Sequence, residues 1–184
     1  LASGAFMQAA SQGGQCDYES LLDRALHAAN RAIGEHARQF PSLSGMGCTL
    51  VAAVLDGHRL HYISVGDSAI FRIRDSGLER VNADHSMAPL IDAGVGRGEY
   101  SAEEALNHPH RSALRSALTG KPVALIDAGQ IDLLPGQLIL LASDGLASLP
   151  PPHQLQILNR ERARGPSAIV SALLDAVETL GAFD

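Results

Sequence analysis

Two aspartates stand in short turns where apolar runs end. Asp67 lies in Val65-Gly66-Asp67-Ser68, after Leu60 to Val65, and Asp144 lies in Ser143-Asp144-Gly145, after Leu138 to Ala142. Carboxylates at strand ends, held by turns that glycine permits, present hard oxygen ligands to Mg²⁺ or Mn²⁺. Phosphate ester hydrolysis uses such ligands, because paired divalent ions neutralise phosphoryl oxygens and turn water into a nucleophile. Taken singly, Gly-Asp-Ser and Ser-Asp-Gly are also ordinary turn sequences, and for either aspartate alone the turn reading outweighs the metal one.

The other candidate groups are weaker. His108 and His110 flank Pro109 beside Arg111, and an arginine fork suits phosphate oxygens, so His108 and Arg111 are the candidate contacts to a phosphorylated substrate. A structural role for Arg111 and Arg115, pairing within the surrounding loop, is nevertheless favoured. His27 and His36 fall in a helical segment and His58 and His61 flank a turn, positions that read as solvent-facing. Gly94-Val95-Gly96-Arg97-Gly98 lacks the Gly-Lys-Ser/Thr ending of a phosphate loop and reads as flexible chain. Ser68, Ser86 and Ser143 have no Gly-x-Ser-x-Gly elbow, which disfavours covalent catalysis. Asp84-His85 are adjacent on extended chain, where side chains diverge, so a local turn-stabilising role is expected.

The elements that must position these residues change character along the chain. From Asp17 to Arg38, Leu21, Leu22, Ala25, Leu26, Ala29 and Ile33 recur at helical spacing, with Asp17 as N-cap. Ala2 to Ala10 reads as the end of another helix, broken by Gly13-Gly14. Cys48 to Leu55 and Leu60 to Val65 form a hairpin around Asp56-Gly57. A second runs from Ala69 to Ile73 and Leu78 to Val81 around Asp75-Ser76-Gly77. Val123 to Ile131 and Leu138 to Ala142 are strand candidates separated by Pro135-Gly136. Between the strand groups, Asp84 to Gly120 is a long polar insertion with a short helix over Ser101 to Leu106, expected to be mobile and to carry recognition. His153 to Arg164 and Pro166 to Leu180 are helical, with Gly165-Pro166 as a helix start. Helices, then strands, then helices give an α+β domain whose antiparallel sheets are covered by helices.

Composition narrows the partners. The 184 residues suit one domain with a sizeable core, and a formal net charge of -6 with scattered Lys and Arg gives no footprint for nucleic acid or an anionic membrane. Cys16 and Cys48 have no metal-ligand spacing, which favours free thiols in a reducing, cytoplasmic compartment. No apolar stretch approaches the roughly 20 residues that span a bilayer. A monomer acting on proteins or small molecules is the expectation.

The ordered series Gly47-Cys48-Thr49-Leu50, Val65-Gly66-Asp67-Ser68, Asp84-His85-Ser86, His108-Pro109-His110-Arg111, Leu114-Arg115-Ser116-Ala117-Leu118, Pro135-Gly136 and Ser143-Asp144-Gly145-Leu146 resembles the metal-dependent protein phosphatases, the PPM or type 2C-like family, in its bacterial form. The resemblance implies a four-layer α-β-β-α sandwich, two antiparallel sheets flanked by helices, that hydrolyses phosphoserine and phosphothreonine in proteins with two or three Mn²⁺ or Mg²⁺ ions. It implies that Asp144 binds a core metal and that Asp67 helps hold a third, looser one. It makes Asp84 to Gly120 a flap bordering the site of a single domain, 1–184, and makes the substrates phosphoproteins produced by a serine/threonine kinase.

The chain also departs from that family. The Asp-Gly-x-Gly-Gly signature whose Asp bridges the core metals is expected before Leu1, as is a phosphate-binding Arg, and an Asp-Asn pair is expected at or beyond Asp184. Cys48 replaces a small hydroxyl residue and Ala147 a frequent Thr. The segment therefore holds part of the metal cage and is expected to be inactive alone, while the full-length protein is a phosphatase. Without its first and last strands, central strands would become unpaired edges, which invite association. The rival reading is a catalytically dead, phosphatase-like binding module that regulates a partner through the flap.

Overall fold

A 22-residue helix organises the N-terminal half. In the computed structural model, which describes residues 1–11 and 17–181, α1 (Ala2–Ser11) packs on α2 (Tyr18–Gln39). The predicted apolar face of α2 is the buried one: Leu22, Ala25, Leu26, Ala29 and Ile33 close on Phe6, Ile63, Val65 and Leu118. Asp17 precedes the helix as expected, although its side chain caps no backbone N–H. Gly13-Gly14, Cys16 and Asp184 lie outside the described residues.

Contacts gather the chain into two units, Leu1–Asp67 with Ala83–Leu133, and Ser68–Asn82 with Leu134–Asp184. In the first, β1 (Leu50–Asp56) and β2 (Arg59–Val65) form the expected hairpin, and β5 (Asp127–Asp132) pairs antiparallel with the far side of β2. The register sets Leu50 opposite Val65 and Ala52 opposite Ile63. Alternation therefore sends these residues to one face, where they meet the α2 stripe. Asn30, 7% exposed, ties α2 to residues 119–121: its side-chain oxygen accepts the Thr119 and Gly120 N–H groups at 3.1 and 2.8 Å, and its amide donates to Lys121 O at 2.7 Å. There Gly34 and Gly120 approach so closely that a Cβ on either would strike the other's backbone.

In the second unit, β3 (Ala69–Arg74) lies between β4 (Gly77–Arg80) and β6 (Ile139–Ala142), all antiparallel. Two helices, α5 (Pro151–Glu161) and α6 (Pro166–Thr179), bury Ile157, Leu158, Ile169 and Leu173 with Ile73, Leu146 and Leu149. Asn82, 4% exposed, accepts Ile70 N–H at 2.7 Å and donates to Ser68 O at 2.9 Å, closing the start of β3. Two three-stranded antiparallel sheets flanked by helices match the expected α+β class.

Two local expectations need correction. Val123 to Ile126 is not strand: the Ser116 hydroxyl accepts Leu125 N–H at 2.9 Å and donates to Leu125 O at 2.8 Å, so a side chain takes the place of a ladder. The two strands either side of Pro135-Gly136 fall in different sheets, β5 joining β2 and β6 joining β3. The glycine-rich stretch is not flexible loop: Ala88–Gly96 forms a helix, α3, begun by Pro89. It ends as Gly98 N–H reaches Val95 O and Glu99 N–H reaches Gly94 O, the paired bonds of a Schellman cap. Ala102–Leu106, α4, forms as expected, with Ser101 and Glu104 exchanging side chain-to-backbone bonds in a capping box. No helix among the described residues is long and apolar enough to cross a membrane.

Candidate functional site

Both turn aspartates stand at strand ends. β2 stops at Val65, and Gly66 turns the chain at φ +97, where a Cβ would collide with Thr49. Asp67 follows, half-buried, in the first unit. Gly66 is bound on both sides by His85, which is 5% exposed: Gly66 N–H donates to His85 Nδ1 at 3.3 Å, and His85 N–H donates to Gly66 O at 3.1 Å.

The Asp84-His85-Ser86 segment is fixed in turn. Asp84 Oδ1 accepts Ser86 N–H at 2.8 Å, the local turn role expected for it. The Arg115 guanidinium donates through Nε to Ser86 O at 2.8 Å and through Nη2 to Asp84 O at 3.1 Å, while Arg115 N–H donates to His85 O at 2.7 Å. The side-chain fork of Arg115 is thus spent on backbone carbonyls.

Asp144, in the second unit, lies just past β6: Ser143 is extended and Asp144 opens a 3₁₀ turn, Asp144–Ser148. Here the anchoring is apolar. Leu146 and Leu149 descend into the core of the unit, and Gln154 Nε2 donates to the carbonyls of both, at 3.2 and 2.8 Å. The Asp144 carboxylate is exposed and has no hydrogen bond or ion pair among the described residues, so it is free to ligate.

The candidate substrate contacts between residues 84 and 120 divide. Arg111 closes its fork on both oxygens of Asp92, at 2.6 and 2.9 Å, and also donates to Ala105 O at 3.2 Å, bracing α3 against α4. That contact holds the Asp92 carboxyl below the usual carboxylate range. His108 packs edge-on to Tyr100, with ring centroids 5.3 Å apart, and its Nδ1 accepts His110 N–H at 3.2 Å. Cys48 is a free thiol whose pKa burial pushes up. Sequence reasoning missed the long-range tasks of His85, Asn30 and Asn82. Asp84-His85-Ser86 stood out as a motif, but nothing local announced that His85 reaches back to Gly66.

Could these residues hold a divalent metal? An exposed, unengaged carboxylate and a half-buried one on a pinned turn suit hard oxygen coordination. Among the described residues, no group of three or more His, Cys, Asp and Glu is placed to hold an ion. Asp67 in its unit and Asp144 in the other each suit one position of a ligand set rather than a whole one.

Comparison with known proteins agrees with the motif series. The chain is 36% identical over 131 residues to the serine/threonine protein phosphatase PstP of Mycobacterium tuberculosis, an alignment covering 71% of this chain and 25% of that protein. It is 30% identical over 155 residues to the serine/threonine phosphatase stp of Listeria welshimeri, covering 84% of this chain and 60% of that one. The chain thus spans a quarter to three fifths of the length of these relatives. A crystal structure of the PstP catalytic domain in complex with two manganese ions superposes with a TM-score of 0.76 at 27% identity, over 100% of this chain and 74% of that one. The family model described as Protein phosphatase 2C matches residues 2–178, and the chain belongs to that family.

Proposed function

We propose that the intact gene product is a metal-dependent phosphatase that releases phosphate from phosphoserine and phosphothreonine in proteins made by a serine/threonine kinase. The observation that carries this reading is the Asp144 carboxylate, unengaged at the end of β6 in a chain of this family. Two or three Mn²⁺ or Mg²⁺ ions, when bound, would supply charge neutralisation for the phosphoryl group and acidify water for the attack.

The chain's own residues have distinct parts in this reading. Asp144 and Asp67 hold metal from separate strand ends. Residues 84–120 act as the flap of one phosphatase-like domain spanning 1–184. There His108 meets the phosphorylated substrate, with Arg111 beside it, its fork already engaged by Asp92, shaping the flap rather than gripping phosphate alone. The protein works as a monomer in the cytoplasm, consistent with its scattered basic residues and formal charge of -6. Two carboxylates alone bind divalent ions weakly, because affinity follows ligand charge count and rigidity, so the 184 residues by themselves are expected to be inactive.

The test is Mn²⁺-dependent phosphate release from a phosphothreonine peptide, comparing the intact gene product with its Asp144→Ala variant across a metal titration. The expected result is activity that falls by about a hundredfold or more in the variant at moderate Mn²⁺. A folded intact protein with no activity at any metal concentration would overturn the enzyme reading and leave the phosphatase-like binding module.

A further inference from the structure

The backbone of the Asp67 turn is held by groups that the proposed chemistry does not use. Gly66 is pinned through both of its peptide groups by one residue, His85, which lies 19 positions further along the chain. The imidazole is 5% exposed and accepts through Nδ1, so in this arrangement its proton sits on Nε2. His85 is fixed in turn by three bonds from Arg115 to the backbone of residues 84–86, and by the Ser86–Leu114 bridge and Met87 N–H to Ala113 O at 2.9 Å behind it. These partners bracket the flap, whose helices α3 and α4 lie between Ser86 and Leu114.

We propose that His85 is a positioning residue for Asp67, and that Arg115 holds His85 in place, so that the base of the flap fixes the turn from which Asp67 reaches for metal. The inference rests on the reading of Asp67 as a metal ligand. The chemistry favours histidine over an apolar residue of similar volume. Leu would fill the space but leave Gly66 N–H, a buried donor, without an acceptor, and the turn would be free to reorient. Groups that orient a ligand without touching the ion commonly change metal affinity about ten- to a hundredfold when removed. Arg115 is suited to its part because one planar fork reaches two carbonyls two residues apart, which a lysine ammonium cannot do in the same geometry.

The experiment uses the intact gene product and four variants: Asp67→Asn, His85→Leu, His85→Asn and Arg115→Lys. Mn²⁺ binding is measured by titration calorimetry, alongside the Mn²⁺ concentration for half-maximal activity, kcat at saturating Mn²⁺, and Tm. His85→Asn retains an acceptor close to the position of Nδ1. The expected result is a rise in the Mn²⁺ midpoint of about tenfold for Asp67→Asn and for His85→Leu, with His85→Asn restored to within about twofold of the parent. Arg115→Lys is expected to raise the midpoint about threefold, with kcat at saturating Mn²⁺ little changed.

If Asp67→Asn weakens Mn²⁺ binding while His85→Leu and Arg115→Lys do not, the positioning role is overturned and the metal reading stands. Equal effects of His85→Leu and His85→Asn would also overturn it, because the lost acceptor would not be the cause. If Asp67→Asn leaves Mn²⁺ binding unchanged, the metal reading of Asp67 fails, and the inference with it. Should His85→Leu not fold, the Arg115→Lys and His85→Asn titrations decide: a parent-like midpoint in the former, or a raised one in the latter, overturns the proposal.

Discussion

The turn bearing Asp67 and the turn bearing Asp144 reach the same end by opposite means. The first is pinned by a polar network, with Gly66 bound to His85 and the His85 segment bound to Arg115. The second hangs from two leucines sunk in a hydrophobic core, with Gln154 as its polar brace. A polar clamp is directional, so one missing acceptor is enough to release what it holds. An apolar anchor is insensitive to direction but sensitive to volume, because interiors are close-packed. Asp67 should therefore be vulnerable to changes that leave stability largely intact, whereas displacement of Asp144 should follow loss of stability in its unit.

The widest break in that comparison comes from the apolar side. Leu149 is fully buried, and Leu149→Ala should destabilise the protein by about 2–5 kcal/mol, through lost transfer energy and the cavity left behind. Urea unfolding with an unchanged m-value would measure it, and a cost near zero would mean that the Asp144 turn is not anchored as described. Next is Gly66→Ala on the polar side. Positive φ costs a non-glycine residue roughly 1–3 kcal/mol, and here the new methyl also meets Thr49, so Tm should fall with it. If the Mn²⁺ midpoint stayed at the parent value in that variant, the turn's backbone would not govern Asp67.

The smallest effect sharpens the contrast between clamp and surface. Arg111 depresses the Asp92 pKa, so the pair stabilises the fold fully above the unfolded carboxyl value, about 3.9, and that contribution disappears as pH falls through the lower folded value. Asp92 is about half exposed, so Asp92→Asn should cost under about 1 kcal/mol at neutral pH. The gap between parent and variant in thermal melts should close below about pH 4. A gap that widened on acidification would contradict the sign.

Much of the fold was legible because its determinants are local. The hairpins at Asp56-Gly57 and Asp75-Ser76-Gly77 carry their turn chemistry in two or three residues, and α2 shows its buried face as a 3.6-residue stripe. The strand-end placement of Asp67 and Asp144 followed from the same signals. What escaped was non-local or hidden by composition. Glycine at 94, 96 and 98 masked α3, where Pro89 and a C-terminal cap outweigh low propensity. Ser116 removed Leu125 from the ladder through a hydroxyl nine residues away. The clamp on Gly66 joins positions 66, 85 and 115, a pairing that periodicity does not encode.

The contact between Gly34 and Gly120 carries a consequence for how this sequence can vary. Most crowded packing can be relieved by trimming the neighbour of an enlarged side chain. Here both partners are already at the smallest residue the genetic code offers, and each would push a methyl into main-chain atoms. A substitution at either position has no second-site suppressor in the other. The two codons are thus held independently, and drift in the loop around Gly120 must pass around that fixed point.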